Sequence, residues 1–300
     1  MKRVIQYFEK KGYLYRLKEP LSKHTSIKVG GEASVLLIPS DRTQLLDAIR
    51  LLNEEEIPYK VIGNGSNLVC SDKPYEGVII KNTRALTSIK VDGTSVIAES
   101  SVSLVKLSLE LCRLGLSGME FVHGIPGTVG GGLFMNCGAY NREMKDVVEW
   151  VKVLDDKGEV RTFTVEECDF RYRHSKFKHH PNWLILEGKF KLEQKDPNEI
   201  KEVMDRRKKR RQEVQPLEYP SCGSIFKNPE GTHAYLFIDQ AGLRGYRIGG
   251  AQISEKHCNF IINDQGAKAM DVRCLIELAQ VKVYETSGLI LEREVEYFNF

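Results

Sequence analysis

Between Gly118 and Tyr140 the chain reads GMEFVHGIPGTVGGGLFMNCGAY, seven glycines interleaved with apolar residues rather than with Ser, Gln or Glu. That composition predicts a buried loop rather than a flexible linker. Glycine lets backbone approach another group closely, or take φ > 0, without a Cβ penalty, so the run is expected to lie directly against something. Two readings are open: backbone N–H groups fanned around an anion, typically a phosphate, or a tight corner between two sheets that holds no ligand. The two familiar phosphate loops do not fit. There is no G-x-x-x-x-G-K-[ST], and a second glycine loop, Gly63-Asn64-Gly65-Ser66-Asn67-Leu68, has Leu where the dinucleotide fingerprint needs its third glycine.

Three hundred residues allow two or three cores rather than one. No apolar run approaches the roughly 20 residues that cross a bilayer, and the opening MKRVIQYFEKKGY reads as an amphipathic helix without the apolar region of a signal peptide. The expectation is a cytoplasmic protein with no membrane partner. Seven cysteines, at 70, 112, 137, 168, 222, 258 and 274, include no C-x-x-C pair, and the seven histidines include no H-E-x-x-H, so reduced thiols and no metal are expected. A net charge of +3 nominates no nucleic-acid partner. The six basic residues Arg206 to Arg211 lie in a predicted helix, Pro197 to Val214, and are either a solvated face or a holder for a diphosphate.

Along the chain, Ala33 to Pro39 reads as a strand and Asp41 as the N-cap of a helix presenting Leu45, Leu46, Ile49 and Leu52. Tyr59 to Ile62 is a short strand that delivers the loop at 63–67 from its C-terminal end, where open α/β sheets bind ligands. Val78 to Lys81 and a hairpin around Asp92-Gly93 follow, then a helix from Ser103 to Leu114, a hairpin around residues 156–158 and a strand Trp183 to Leu192. Beyond the basic helix come the loop GSIFKNP, a helix near 234–241, strands at 251–254 and 259–262, a helix at 271–286 and a final strand from Leu289 to Phe298. The fold class is α+β.

Seven blocks, HTSIKVGG (24–31), VIGNGSNLV (61–69), residues 118–140, FRYRHSKF (170–177), QPLEYPSCGSIFKNP (215–229), AGLRGYRIGGAQISEKHCNFIIN (241–263) and LILEREVEY (289–297), together resemble the UDP-N-acetylenolpyruvoylglucosamine reductase family, in order and over nearly the whole chain. The likeness is to the family's shorter form, without the extra substrate-covering loop. Gly132 stands where Ala is more usual. The resemblance implies a two-subdomain FAD-binding domain of the vanillyl-alcohol-oxidase-like type over residues 1–192 (about 15–82 and 83–192), then a smaller α+β substrate-binding domain over 193–300. It implies non-covalent FAD, NADPH as co-substrate, and reduction of UDP-N-acetylglucosamine-enolpyruvate to UDP-N-acetylmuramate for peptidoglycan, in a monomer acting on a small molecule.

By match of motif, Arg173 and Glu294 are expected to polarise the substrate carboxylate, Ser224 to donate the proton, and Lys227 and Asn228 to contact substrate. Gly63, Asn64, Gly65, Ser66, Asn67, Gly127, Thr128, Gly130, Gly131, Asn136, Gly138 and Ala139 are expected to hold the cofactor. Taken singly, Arg173 is also consistent with a surface arginine, Glu294 with a strand-edge charge and Ser224 with a turn residue. Two other classes stay open: a flavin oxidase with its cofactor attached through His123, and a nucleic-acid binder using the basic run.

Overall fold

The computed structural model describes residues 1–300. Two compact units form, and neither is continuous in sequence: residues 1–17, 35–64 and 77–209 make the first, and 18–34, 65–76 and 210–300 the second. Compactness therefore divides the chain along other lines than a single cut between 192 and 193. The reason lies in the second core, where Ile27, Val29 and Val69 are buried with residues from 222 onward.

The first unit opens with helix α1 (Lys2–Lys10), which buries Val4 and Phe8. Helix α2 (Arg42–Glu54) starts where the Asp41 side chain accepts the Gln44 N–H at 2.9 Å. Its Leu45, Ile49 and Leu52 close one core with Val35, Leu37, Val78 and Ile80. These last residues belong to a sheet of strands ordered Tyr15–Pro20, Glu32–Leu37, Tyr75–Lys81 and Tyr59–Ile62, the final pair parallel.

A second, antiparallel sheet runs Val160–Thr164, Val148–Leu154, Leu184–Lys191, Ser95–Glu99 and Ile89–Asp92. Helices α3 (Leu104–Arg113) and α4 (Val129–Met135) bury Leu107, Leu111, Val129 and Leu133 in the core with it. The glycine stretch is thus not loop throughout, because Gly130, Gly131 and Gly132 are the first turns of α4. Helix α5 (Pro197–Val214) follows, burying Ile200 and Met204.

In the second unit an antiparallel sheet ordered Ser221–Ser224, Phe260–Asn263, Ala251–Ile253 and Arg247–Ile248 shares a core with α6 (Ala234–Gln240) and α7 (Ala269–Ser287). Leu68–Cys70 and Glu296–Phe298 pair in parallel. The predicted final strand is shorter than expected, since residues 289–295 run without a regular ladder and only Phe226 and Arg293 bridge there. Asn263 Nδ2 donates to Ile27 O at 2.9 Å, and both carboxylate oxygens of Asp72 accept N–H groups at the start of α7, from Ala269 at 3.0 Å and Met270 at 3.1 Å. No helix is long and apolar enough to cross a membrane.

One half-buried carboxylate makes a stability prediction. Asp47 Oδ2 accepts hydrogen bonds from Tyr7 (2.6 Å) and Tyr13 (2.7 Å), and Oδ1 accepts one from Arg50 (2.9 Å). These donors, the Tyr7 hydroxyl foremost, hold its pKa below the ordinary aspartate value. A carboxyl whose folded pKa is lowered stabilises the fold above its unfolded pKa, and the contribution is lost as pH falls through the folded value. Asp47→Asn is expected to lower stability at pH 7 by about 1 kcal/mol and to flatten the loss below pH ~4; urea unfolding at pH 7 and pH 3 reads both.

Candidate active site

In the first unit Gly63 and Asn64 meet the start of the central glycine stretch. Asn64 Nδ2 donates to Pro126 O at 2.9 Å, and a Cβ on Gly63 would stand 2.6 Å from Thr128 Oγ1, so the loop after strand Tyr59–Ile62 lies against the start of α4. Thr128 caps α4, its Oγ1 accepting from Gly131 N at 3.3 Å. The expected fan of free amides along this turn is partly taken up. Val129 N donates to Val102 O (2.8 Å), Gly130 N to Ser100 O (2.9 Å) and Gly132 N to Thr128 O (2.8 Å). The N–H groups of Asn64, Gly65 and Ser66, by contrast, enter no hydrogen bond within the chain.

The glycines of α4 differ in what they serve. A Cβ on Gly130 would meet Ser100 Cβ at 2.8 Å, whereas one on the exposed Gly131 would meet nothing nearer than Thr128 Oγ1 at 3.6 Å. The tight glycine belongs to chain packing and the open one to a cradle. Gly130→Val is expected to cost about 1–3 kcal/mol through overpacking. Gly131→Val should keep the melting temperature and lose bound cofactor; thermal unfolding beside cofactor content separates the two.

Asn136, expected among the cofactor contacts, is placed otherwise. It is fully buried at the end of α4 with φ 43°, its Nδ2 donates to Glu143 Oε2 (3.1 Å) and Arg171 O (2.9 Å), and its Oδ1 accepts from Lys145 N (3.0 Å). Its amide is fully used inside the chain. Gly138 and Ala139 pair with Glu143 and Arg142 in a short hairpin whose turn residues, Tyr140 and Asn141, both have φ 57°, the sign a two-residue hairpin turn of the primed kind requires. Arg173, at φ 55°, donates from Nη2 to Gly138 O at 2.8 Å.

The basic run is not simply solvated. Arg207 stacks over the Tyr140 ring at 4.7 Å, and the Tyr140 hydroxyl donates to Arg207 O at 3.1 Å. His123 Nδ1 lies 3.0 Å from Ser108 Oγ.

The second unit pairs the segment after Ser224 with the segment that carries Glu294. Strand Ser221–Ser224 pairs with Phe260–Asn263 through a register shift, with Gly223 at φ 79°, and a bulge of this kind re-aims the side chain that follows. Beyond it Glu294 N donates to Ile225 O (2.8 Å) and Lys227 N to Glu292 O (2.8 Å). Asn259 locks the segment from the other side: its N–H-bearing Nδ2 donates to Phe226 O (2.8 Å), and its Oδ1 accepts from Phe226 N (2.9 Å). Asn67 of the first glycine loop donates from Nδ2 to Glu294 O at 3.2 Å, and Glu296 N donates to Asn67 O at 2.9 Å. Gly65 and Ser66 belong to this unit as well, and Gly65 O accepts from Ser26 N at 3.2 Å.

Of the two expected substrate contacts, Lys227 is ion-paired with Glu292, and Asn228 Oδ1 accepts from Ala234 N at 3.2 Å at the start of α6. The neighbouring thiols are chemically quiet, because burial pushes Cys222 up to about 12 and Cys258 to about 11 and thiols there stay protonated at neutral pH. Asn259 and Glu143 were not singled out from sequence. Neither lies in a motif that names a role, and both act through partners brought from elsewhere in the chain.

The arrangement defines a class: an α+β flavoprotein whose glycine loops meet in an FAD-binding domain, matched by the family model for that domain over residues 33–164. The residues present fit the cofactor, in that Gly131 leaves an open cradle beside the Thr128 cap and the 64–66 amides have no partner within the chain. The model for the C-terminal domain of UDP-N-acetylenolpyruvoylglucosamine reductase matches residues 215–298. Proteins named UDP-N-acetylenolpyruvoylglucosamine reductase from Caldanaerobacter subterraneus subsp. tengcongensis and Alkaliphilus oremlandii are each 45% identical, over 96% and 94% of this chain and 94% and 92% of their own. The crystal structure of the Thermus caldophilus reductase (MurB) superposes with a TM-score of 0.80 at 34% identity, over 95% of this chain and 98% of that one. The chain belongs to the UDP-N-acetylenolpyruvoylglucosamine reductase family.

Proposed function

We propose that the protein, as a cytoplasmic monomer, reduces the enolpyruvyl group of UDP-N-acetylglucosamine-enolpyruvate to give UDP-N-acetylmuramate, with residues 1–192 as the flavin-binding part and 193–300 as the substrate-binding part. FAD, when bound, would supply the two-electron chemistry that links NADPH to the enolpyruvyl double bond. The chain's own residues then manage the negative charge that develops at C2 and on the adjoining carboxylate. Asn64, Gly65, Ser66 and Gly131 hold the cofactor's phosphates and exclude bulk from their path. Arg173 offers a fixed cation to the carboxylate. Glu294 completes the pair that polarises this carboxylate. Ser224 delivers a proton to C2, which a hydroxyl does only toward a strongly basic carbon and with the remaining alkoxide stabilised.

The observation that supports the assignment is the backbone pairing of residues 225–227 with 292–294, in which Glu294 N donates to the carbonyl of Ile225, the residue after Ser224. The purified protein is expected to be yellow and to release its flavin on denaturation, with NADPH bleaching it and the enolpyruvyl substrate restoring it. Colour that stays with the unfolded chain would point to an oxidase-type covalent flavin. A colourless protein that takes up no FAD and binds DNA with steep salt dependence would replace the reading with a nucleic-acid function.

A further inference from the structure

Arg173 sits in a frame that no motif announces. Its side chain is 15% exposed, its backbone φ is 55°, and its guanidinium is approached from two points of one hairpin: Gly138 O at 2.8 Å from Nη2 and Glu143 Oε1 at 3.9 Å from Nη1. Glu143 is itself 15% exposed and held through its other oxygen, Oε2, by Asn136 Nδ2 at 3.1 Å and Lys145 Nζ at 3.0 Å. Its backbone is fixed too, with Glu143 N donating to Asp146 Oδ2 at 2.8 Å. That leaves Oε1 buried, without a hydrogen-bond partner, facing Arg173. A buried acceptor left in that state costs free energy, and positive φ at a non-glycine residue costs more. Of nine such residues in the chain, five (Asn136, Tyr140, Asn141, Asp169 and Arg173) fall between 136 and 173, so the backbone strain concentrates around this frame.

We infer that Glu143 is a positioning residue for the reaction: its carboxylate sets the plane of the Arg173 guanidinium, through the Asn136 and Lys145 contacts, before substrate arrives. Glu143 touches neither substrate nor cofactor in this role. The inference rests on the assignment of Arg173 to the substrate carboxylate. A planar fork binds a carboxylate well in one orientation only, and small errors in placing such a group cost about 10²-fold in rate.

The test is a double-mutant cycle on the holoenzyme, following the two half-reactions separately by flavin absorbance. Glu143→Gln is expected to leave the melting temperature, flavin content and NADPH-driven reduction near wild type, and to slow reoxidation by substrate about 10- to 10²-fold. Glu143→Asp, keeping the charge on a shorter arm, should recover part of that loss. In an Arg173→Ala background Glu143→Gln should change nothing further, because residues acting through one another are not additive. Two results would overturn the inference: reoxidation at the wild-type rate in Glu143→Gln while Arg173→Ala is slow, or effects that multiply in the double variant. Should Glu143→Gln not fold, Glu143→Asp in both backgrounds reads the same coupling. If Arg173→Ala alone reoxidises normally, it is the assignment of Arg173 that fails, and the two failures are thereby distinguished.

Discussion

Ser224→Ala is expected to bind FAD and to be reduced by NADPH at close to the wild-type rate, yet to be reoxidised by the enolpyruvyl substrate about 10²- to 10⁴-fold more slowly, the range a positioned general acid contributes. The division follows from where the hydroxyl stands. It closes a bulged strand of the second unit, one residue before Ile225, whose carbonyl accepts the Glu294 N–H. Nothing in hydride transfer from the nicotinamide calls on it, whereas C2 cannot become tetrahedral without a proton. Ser224→Cys keeps a transferable proton at a similar position and should retain more activity than alanine. The strand itself is secured by Asn259 and by the 292–294 segment, so thermal unfolding of both variants should match the parent. Rapid-mixing absorbance at the flavin band measures each half-reaction, and a wild-type reoxidation rate in Ser224→Ala would assign the proton to another group.

Arg173→Ala should likewise spare the first half-reaction and slow the second by about 10²- to 10³-fold, the usual loss when one preorganised donor to developing charge is removed. Arg173→Lys is expected to recover little, because an ammonium cannot reproduce a guanidinium fork held between Gly138 O and Glu143. Alanine relieves the positive φ no better than arginine, so a change in stability should come from lost side-chain contacts, the Gly138 hydrogen bond among them at on the order of 1 kcal/mol. Equal slowing of flavin reduction by NADPH in Arg173→Ala would contradict the placement of Arg173 at the substrate carboxylate.

Local chemistry made much of the fold legible in sequence. Asp41 before a 3.6-residue apolar repeat gave α2, and Asp92-Gly93 between alternating residues gave a hairpin that pairs Ile89–Asp92 with Ser95–Glu99. Helix α4 was hidden for a physical reason. Three glycines in a row argue against helix by about 1 kcal/mol each, and what overrides them is tertiary: Gly130 lets the helix approach Ser100, and Gly132 fits between Cys137 and Leu104. The last strand is shorter than its sequence predicts because residues 289–295, apolar enough for sheet, meet residues 225–227 at one isolated bridge and its flanking hydrogen bonds rather than in a continuous ladder. The discontinuous units were invisible for a similar reason, since Ile27 and Val69 join a core built from residues far along the chain.

The site divides the same way. Ser224, Arg173 and Glu294 were reached through blocks of sequence taken together, each being unremarkable alone. Asn136 is expected as a cofactor contact by match of motif, but its left-handed backbone turns the side-chain amide inward onto Glu143 and Arg171. The importance of Glu143 depends on that turn and on a hairpin closed by Tyr140 and Asn141. No spacing in the sequence signals either.

The most direct measurement is made without oxygen: the purified flavoprotein is bleached with one equivalent of NADPH, then mixed with UDP-N-acetylglucosamine-enolpyruvate while the flavin band is followed. Recovery of the oxidised flavin spectrum, with formation of an equal amount of UDP-N-acetylmuramate, is the predicted result. A band that stays bleached after the substrate is added would contradict the proposed reaction.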